Sequence, residues 1–140
     1  MTKCLEAIII FLRSYLLLFC FVKRGKMGFE RLFPEIPLVF IQRCVRERRI
    51  HWAFHVNMRL RNRFISRQKI LESVSTFEII EAYPEDKYLP SYLVYSPHEG
   101  SVFHVLFAVD VAGDNVRIVT SYYPDTEEWE EDLRTRRGSL

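Results

Sequence analysis

Residues 91–123 read SYLVYSPHEGSVFHVLFAVDVAGDNVRIVTSYY: three runs rich in Val, Tyr and Phe, separated by two short polar turns. The runs 91–96 and 116–123 have strand composition, and Ala112-Gly113-Asp114-Asn115 has the residues of a hairpin turn. Between them, 102–110 (VFHVLFAVD) is the most apolar stretch after residue 26, which predicts a central strand covered on both faces. Upstream, 77–83 (FEIIEAY) supplies one more strand before the turn Pro84-Glu85-Asp86-Lys87. Connections this short join antiparallel neighbours, so the predicted sheet is a four-stranded antiparallel meander.

Before residue 77 the apolar period lengthens. After Pro34 and Pro37, residues 38–49 place Leu38, Ile41 and Val45 on one helical face with arginines between them. A second helix is expected over 50–63, with Ala53, Val56, Leu60 and Phe64 as its stripe, and Ser66 is placed to cap a third over 67–74. Pro124-Asp125 is expected to open a last short helix containing Trp129 and Leu133. The fold class is therefore α+β, with two to three N-terminal helices on one face of the four-stranded sheet and a short C-terminal helix. A length of 140 residues suits one core, here 36–140, with 1–35 as an apolar extension.

That extension is nearly all apolar from Leu5 to Val22, but Glu6 and Arg13 interrupt it, so it is a poor candidate to span a bilayer. Membrane-surface contact through residues 1–26 is an open alternative, and so is a true start at Met27. No cleavage site of the small-x-small kind follows to suggest secretion. Cys4, Cys20 and Cys44 form neither an even framework nor a C-x-x-C pair, which makes a reducing cytoplasm the default.

The net charge of +2 conceals a segregation. Residues 43–69 hold nine Lys/Arg against Glu47 alone, a local +8, whereas residues 70–133 hold fourteen acids against two basic groups. A polyanion would bind the basic segment. On a helical wheel Trp52, His55, Arg59 and Arg63 share one ridge, with guanidiniums for phosphates and an indole for bases. A His moves protons near neutral pH, and Arg stabilises the charge that grows on a five-coordinate phosphorus, so the ridge also has parts for metal-free phosphodiester cleavage. The competing reading makes Trp52 a core residue, His55 a structural hydrogen-bonding group and the arginines solvated. His51 and His55 are four apart, but no third ligand is apparent, so neither a metal nor a small-molecule cofactor is expected. His104, mid-strand on the face of Val102, Leu106 and Ala108, is either a satisfied core residue or one that faces the second helix. Thr120 and Tyr122 share one strand face; Ser121 and Tyr123 share the other.

From Phe40 onward the chain resembles the uncharacterised domain family numbered 4258. The resemblance rests on Trp52-Ala-Phe-His55-Val-Asn-Met-Arg59-Leu-Arg-Asn-Arg63, Ile79-Ile80-Glu81-Ala82-Tyr83-Pro84, Pro90-Ser91-Tyr92-Leu93, His104-Val105, and Ile118-Val119-Thr120-Ser121-Tyr122-Tyr123-Pro124-Asp125 with Trp129. Phe64 departs from it, standing where the family usually has the Gly that ends the helix. The family in turn looks like a relative of the RelE/ParE-type bacterial toxins. This resemblance implies a type II toxin that cleaves messenger RNA, with the ribosome as a possible setting and an antitoxin protein as partner. It points to His55, His104 and Tyr123, taken as catalytic, and to Arg59 and Arg63, taken as RNA-binding together with Trp52 of the ridge. The alternative is a non-catalytic module that binds RNA or an acidic protein through its basic helices.

Overall fold

The computed structural model describes residues 30–52 and 65–138. The chain divides into two compact units, Met1–Glu30 and Arg31–Leu140, and the described helices and strands all belong to the second. Among the described residues no helix is long and apolar enough to cross a membrane.

Helix α1 spans Pro37–Arg46, with a proline in its first turn, where no backbone N–H is needed. Ile41, Cys44 and Val45 form its buried stripe. It stops three residues short of the expected end because Arg48 enters the left-handed region at φ 63° and the Arg49 N–H turns back to the Cys44 carbonyl at 2.8 Å. Arg43 and Arg49 then converge on the Asp114 carboxylate, with Arg43 Nη2 2.5 Å from Oδ1. The Arg43 hydrogen bond holds that carboxyl below its usual range. Part of the basic segment is thus occupied in tying α1 to a hairpin turn.

The next element is a strand, β1, Ile50–Trp52, where a helix was expected to begin. Ile50 and Trp52 pack inward and His51 is exposed, so the alternation has a period of two. β1 lies parallel to the last strand, with Ile50 opposite Val116 and Trp52 opposite Ile118. The remainder of the expected second helix lies outside the described residues. The third, α2, spans Arg67–Glu72, and the Ser66 hydroxyl accepts from the Lys69 N–H at 3.1 Å as predicted for an N-cap. A 3₁₀ turn, Val74–Thr76, follows it.

Four strands complete the sheet: β2 Glu78–Tyr83, β3 Ser91–His98, β4 Ser101–Asp110 and β5 Asn115–Tyr122. The order is β1-β5-β4-β3-β2, so the meander is as expected but β1 adds a fifth, parallel strand and makes the sheet mixed. β4 is the middle strand and is buried along most of its length. Phe103, Val105, Phe107 and Val109 pack beneath α1 and α2 with Val94, Val116 and Ile118, forming the main core.

The expected C-terminal helix does not form. Asp125 closes one turn through Glu128 and Trp129, then Asp132 captures the Arg134 and Thr135 N–H groups with its side chain, an alternative to helical bonding that aspartate favours. Leu133 sits at φ 54°, the chain reverses, and Trp129 bridges to Arg136. Residues 124–137 are therefore a strap. It covers the sheet face opposite the helices, where the Trp129 ring and the Leu133 carbonyl meet His104 of β4.

Candidate functional site

Alternation along β4 sends His104 to the strap side, opposite Tyr95 of β3 and Tyr122 of β5. The ring is fully buried, with Trp129 edge-on at 4.5 Å between centroids. Nε2 lies 2.7 Å from the Leu133 carbonyl. A carbonyl only accepts, so Nε2 carries the proton and Nδ1 is left to accept from the Tyr122 hydroxyl at 3.3 Å. Burial pushes this imidazole below its ordinary pKa, an effect that the Leu133 bond and the Glu81 charge offset only in part. At neutral pH His104 is an uncharged base with its lone pair directed at a phenol.

Glu81 of β2 belongs to the same layer. Arg136 of the strap grips it with both prongs, Nε to Oε1 at 3.0 Å and Nη2 to Oε2 at 3.2 Å, and the Tyr83 hydroxyl donates to the same carboxylate. Burial alone would raise Glu81; the bonds from Arg136 and Tyr83 outweigh it and hold the carboxyl below its usual value. The same pair pushes Arg136 above its ordinary value, and its guanidinium stacks over Trp129 at 4.5 Å. Tyr83 and Tyr122 are both raised, chiefly by burial.

Of these groups Tyr83, Tyr122 and Arg136 line a cavity of about 320 Å³. Leu93 and Leu106 give it apolar surface, Tyr83, Tyr122, Thr120 and Arg136 give it polar groups, and Asp86 adds a carboxylate. Its volume lies at the lower end of small-molecule sites, and a cleft where displaced pKa values gather is a physical marker of function. Tyr122 links cavity to base: its side chain lines the one and its hydroxyl binds the other.

The burial of His104 makes stability depend on pH. Because its folded-state pKa is depressed, its contribution is complete above the unfolded value of about 6.5 and is lost as pH falls through the folded value. Glu81, which faces it from β2, and Asp114, in the β4–β5 turn, are both held low and add their own losses only below about pH 4.5. Urea denaturation should therefore show stability falling as pH drops below about 6.5, before the carboxylates titrate, in the wild type and much less in His104→Gln; equal slopes would contradict this assignment.

Of the residues the sequence singled out, the structure places three. His104 stands on the strap side, whereas Tyr123 and Trp52 pack against the core under the helices, so His104 and Tyr123 do not converge. Among the described residues His104 faces the strap; the second helix, the other neighbour that the sequence left open for it, lies outside the described residues. Trp52 lies on a strand, with the Arg67 guanidinium 4.9 Å above its ring, and is not part of a helical ridge. His55, Arg59 and Arg63 lie outside the described residues. The tyrosine bonded to His104 is Tyr122, which strand alternation places on a face with Thr120 without linking it to chemistry. Arg136 carries no signal in the sequence, and Glu81 stands there only within a stretch of the family resemblance with no role attached, because the two meet only through the strap. Among the described residues no three His, Cys, Asp or Glu side chains gather as a metal site.

No curated protein and no solved structure matches the chain. A family profile does: the one described as Domain of unknown function (DUF4258) matches residues 52–124, more than half of the 140, a span that takes in Glu81, Tyr83, His104 and Tyr122 and ends at the first residue of the strap. The chain belongs to the DUF4258 family.

Proposed function

We propose that this protein is the toxin of a bacterial type II toxin–antitoxin pair, a relative of the RelE/ParE toxins, and that it cleaves messenger RNA in the cytoplasm without a metal ion. The observation that carries the reading is Tyr122, whose side chain lines the cavity of about 320 Å³ and whose hydroxyl is bonded to the neutral Nδ1 of His104. A ribose 2′-hydroxyl entering the cavity gives its proton to Tyr122 as Tyr122 passes its own to His104. The 2′-oxygen bonds to phosphorus, the bond from phosphorus to the 5′-oxygen breaks, that oxygen takes a proton from solvent water, and the proton held by His104 returns to solvent. The products are a 2′,3′-cyclic phosphate and a 5′-hydroxyl. Arg136, whose Nη1 lies outside the bidentate pair with Glu81, stabilises the charge on the phosphorane. The Leu133 carbonyl and the Glu81 carboxylate favour the imidazolium that forms. Arg59 and Arg63 serve RNA binding in this reading, His55 is a second proton carrier, and an antitoxin protein neutralises the chain.

A second reading is favoured by one specific observation: Glu81 already engages Arg136, and His104 is closed off behind Tyr122 and the strap. In it the protein is a non-catalytic module that binds RNA or an acidic protein. Incubating purified protein with RNA and a chelator, with and without ribosomes, separates the two. Cleavage is expected; intact RNA together with normal growth on induction would remove the toxin reading.

A further inference from the structure

On the opposite face of the sheet, Lys69 of α2 lies half-buried against the ends of β4 and β5. Its ammonium donates to the Ser101 hydroxyl at 2.9 Å and to the Tyr123 hydroxyl at 3.2 Å, and lies 5.4 Å from the Tyr123 ring centroid. No carboxylate pairs with Lys69 among the described residues, although Arg43, Arg49, Arg134, Arg136 and Arg137 all have one. The hydrogen-bond count then decides what fits. An ammonium has three protons, and two are used here. Tyr123 accepts from Lys69, so its own O–H remains to donate, whereas the Ser101 O–H is already given to the His98 carbonyl at 3.0 Å. One N–H and one O–H, about a hydrogen bond apart, are thus left as donors with no acceptor between them among the described residues. Two residues before Lys69, Arg67 adds an exposed guanidinium over Trp52.

We propose that Lys69 and Tyr123 form a phosphate-binding site, distinct from the cavity on the strap side and separated from it by the sheet. The chemistry required of the ligand is a tetrahedral oxyanion with two acceptor oxygens, which a phosphodiester of RNA and a free phosphate share. Tyr122 and Tyr123 are consecutive along the chain at the end of β5 and project to opposite faces, so an RNA chain rounding the end of that strand would offer one phosphate to Lys69 and another to the cavity. That extension rests on the RNA reading; the phosphate site itself does not.

The test uses the full chain in two arms. Titration with inorganic phosphate, followed by amide NMR, should shift the signals of Lys69, Ser101 and Tyr123, and Lys69→Ala and Tyr123→Phe should each remove the saturable shift. Anisotropy of a labelled RNA of about 12 nucleotides should show about tenfold weaker binding for Lys69→Ala, with the slope of log K against log salt reduced by about 0.7, as for one lost single-strand phosphate contact. Tyr123→Phe, which keeps the packing, should weaken binding without that loss of slope. Phosphate shifts with no RNA binding would support the site and reject the RNA reading. Unchanged RNA affinity and slope in both variants would remove the RNA extension, and a phosphate titration that leaves these three residues unmoved would overturn the proposal.

Discussion

Replacing Trp129 with alanine is expected to lower the unfolding free energy by about 3–5 kcal/mol, the range for deleting a large buried aromatic. The side chain is fully buried, edge-on to His104 and beneath the Arg136 guanidinium, so its loss opens a void and frees both neighbours. The strap has little else apolar to hold it. Its other ties include Arg134 to Glu78, Arg134 over the Tyr95 ring at 4.1 Å, Arg136 to Glu81 and the Leu133 carbonyl to His104, and the two ion pairs are partly exposed and of small individual worth. Urea denaturation followed by circular dichroism measures the loss, and Trp129→Phe should recover more than half of it. A change below about 1 kcal/mol would mean that the strap is not part of the cooperative fold.

The largest functional effect is expected from Tyr122→Phe. Removing one hydroxyl deletes the link between the cavity and His104 while leaving the ring in place, so RNA cleavage should fall by about 10²–10³-fold, the usual scale for a lost proton-transfer group. Stability should change by no more than about 1.5 kcal/mol, the worth of a single hydrogen bond. A variant that folds and cleaves at the wild-type rate would exclude Tyr122 from the reaction. His104→Gln should lose a similar factor and, unlike Tyr122→Phe, should also flatten the acid limb of the stability profile, because it removes the titrating group itself.

How much of the molecule is legible in its sequence depends on whether a feature is local. Strands β2 to β5 and their turns follow from alternation and from turn residues such as Ala112-Gly113-Asp114-Asn115, all within a few positions of one another. The Ser66 cap likewise needs only three residues. Strand β1 escapes a sequence reading because Ile50-His51-Trp52 is too short to show a period, and what makes it a strand is pairing with Val116–Ile118 far along the chain. The acidic run 125–132 reads as a helix face until Asp125 and Asp132 bind their own backbone and turn Trp129 inward. Charge segregation identifies the basic segment, but Arg43 and Arg49 are committed to Asp114, and Lys69 is left as a described cation with a proton still lacking an acceptor. His104 stands out in the sequence as a candidate, and the structure gives it displaced chemistry and a cavity neighbour. Its partner could not be chosen from sequence, because adjacent tyrosines on one strand differ only in the face they take, and that face depends on the strand register and the bulge near Leu106.

The most direct test of the central claim is the chemistry of the RNA ends left by purified protein in the presence of a chelator. A 2′-hydroxyl attack assisted by Tyr122 and His104 predicts 2′,3′-cyclic phosphate and 5′-hydroxyl ends, and no cut at a position where the 2′-hydroxyl is replaced by hydrogen. Products bearing 5′-phosphates, cleavage that persists at the deoxy position, or RNA left intact would contradict it.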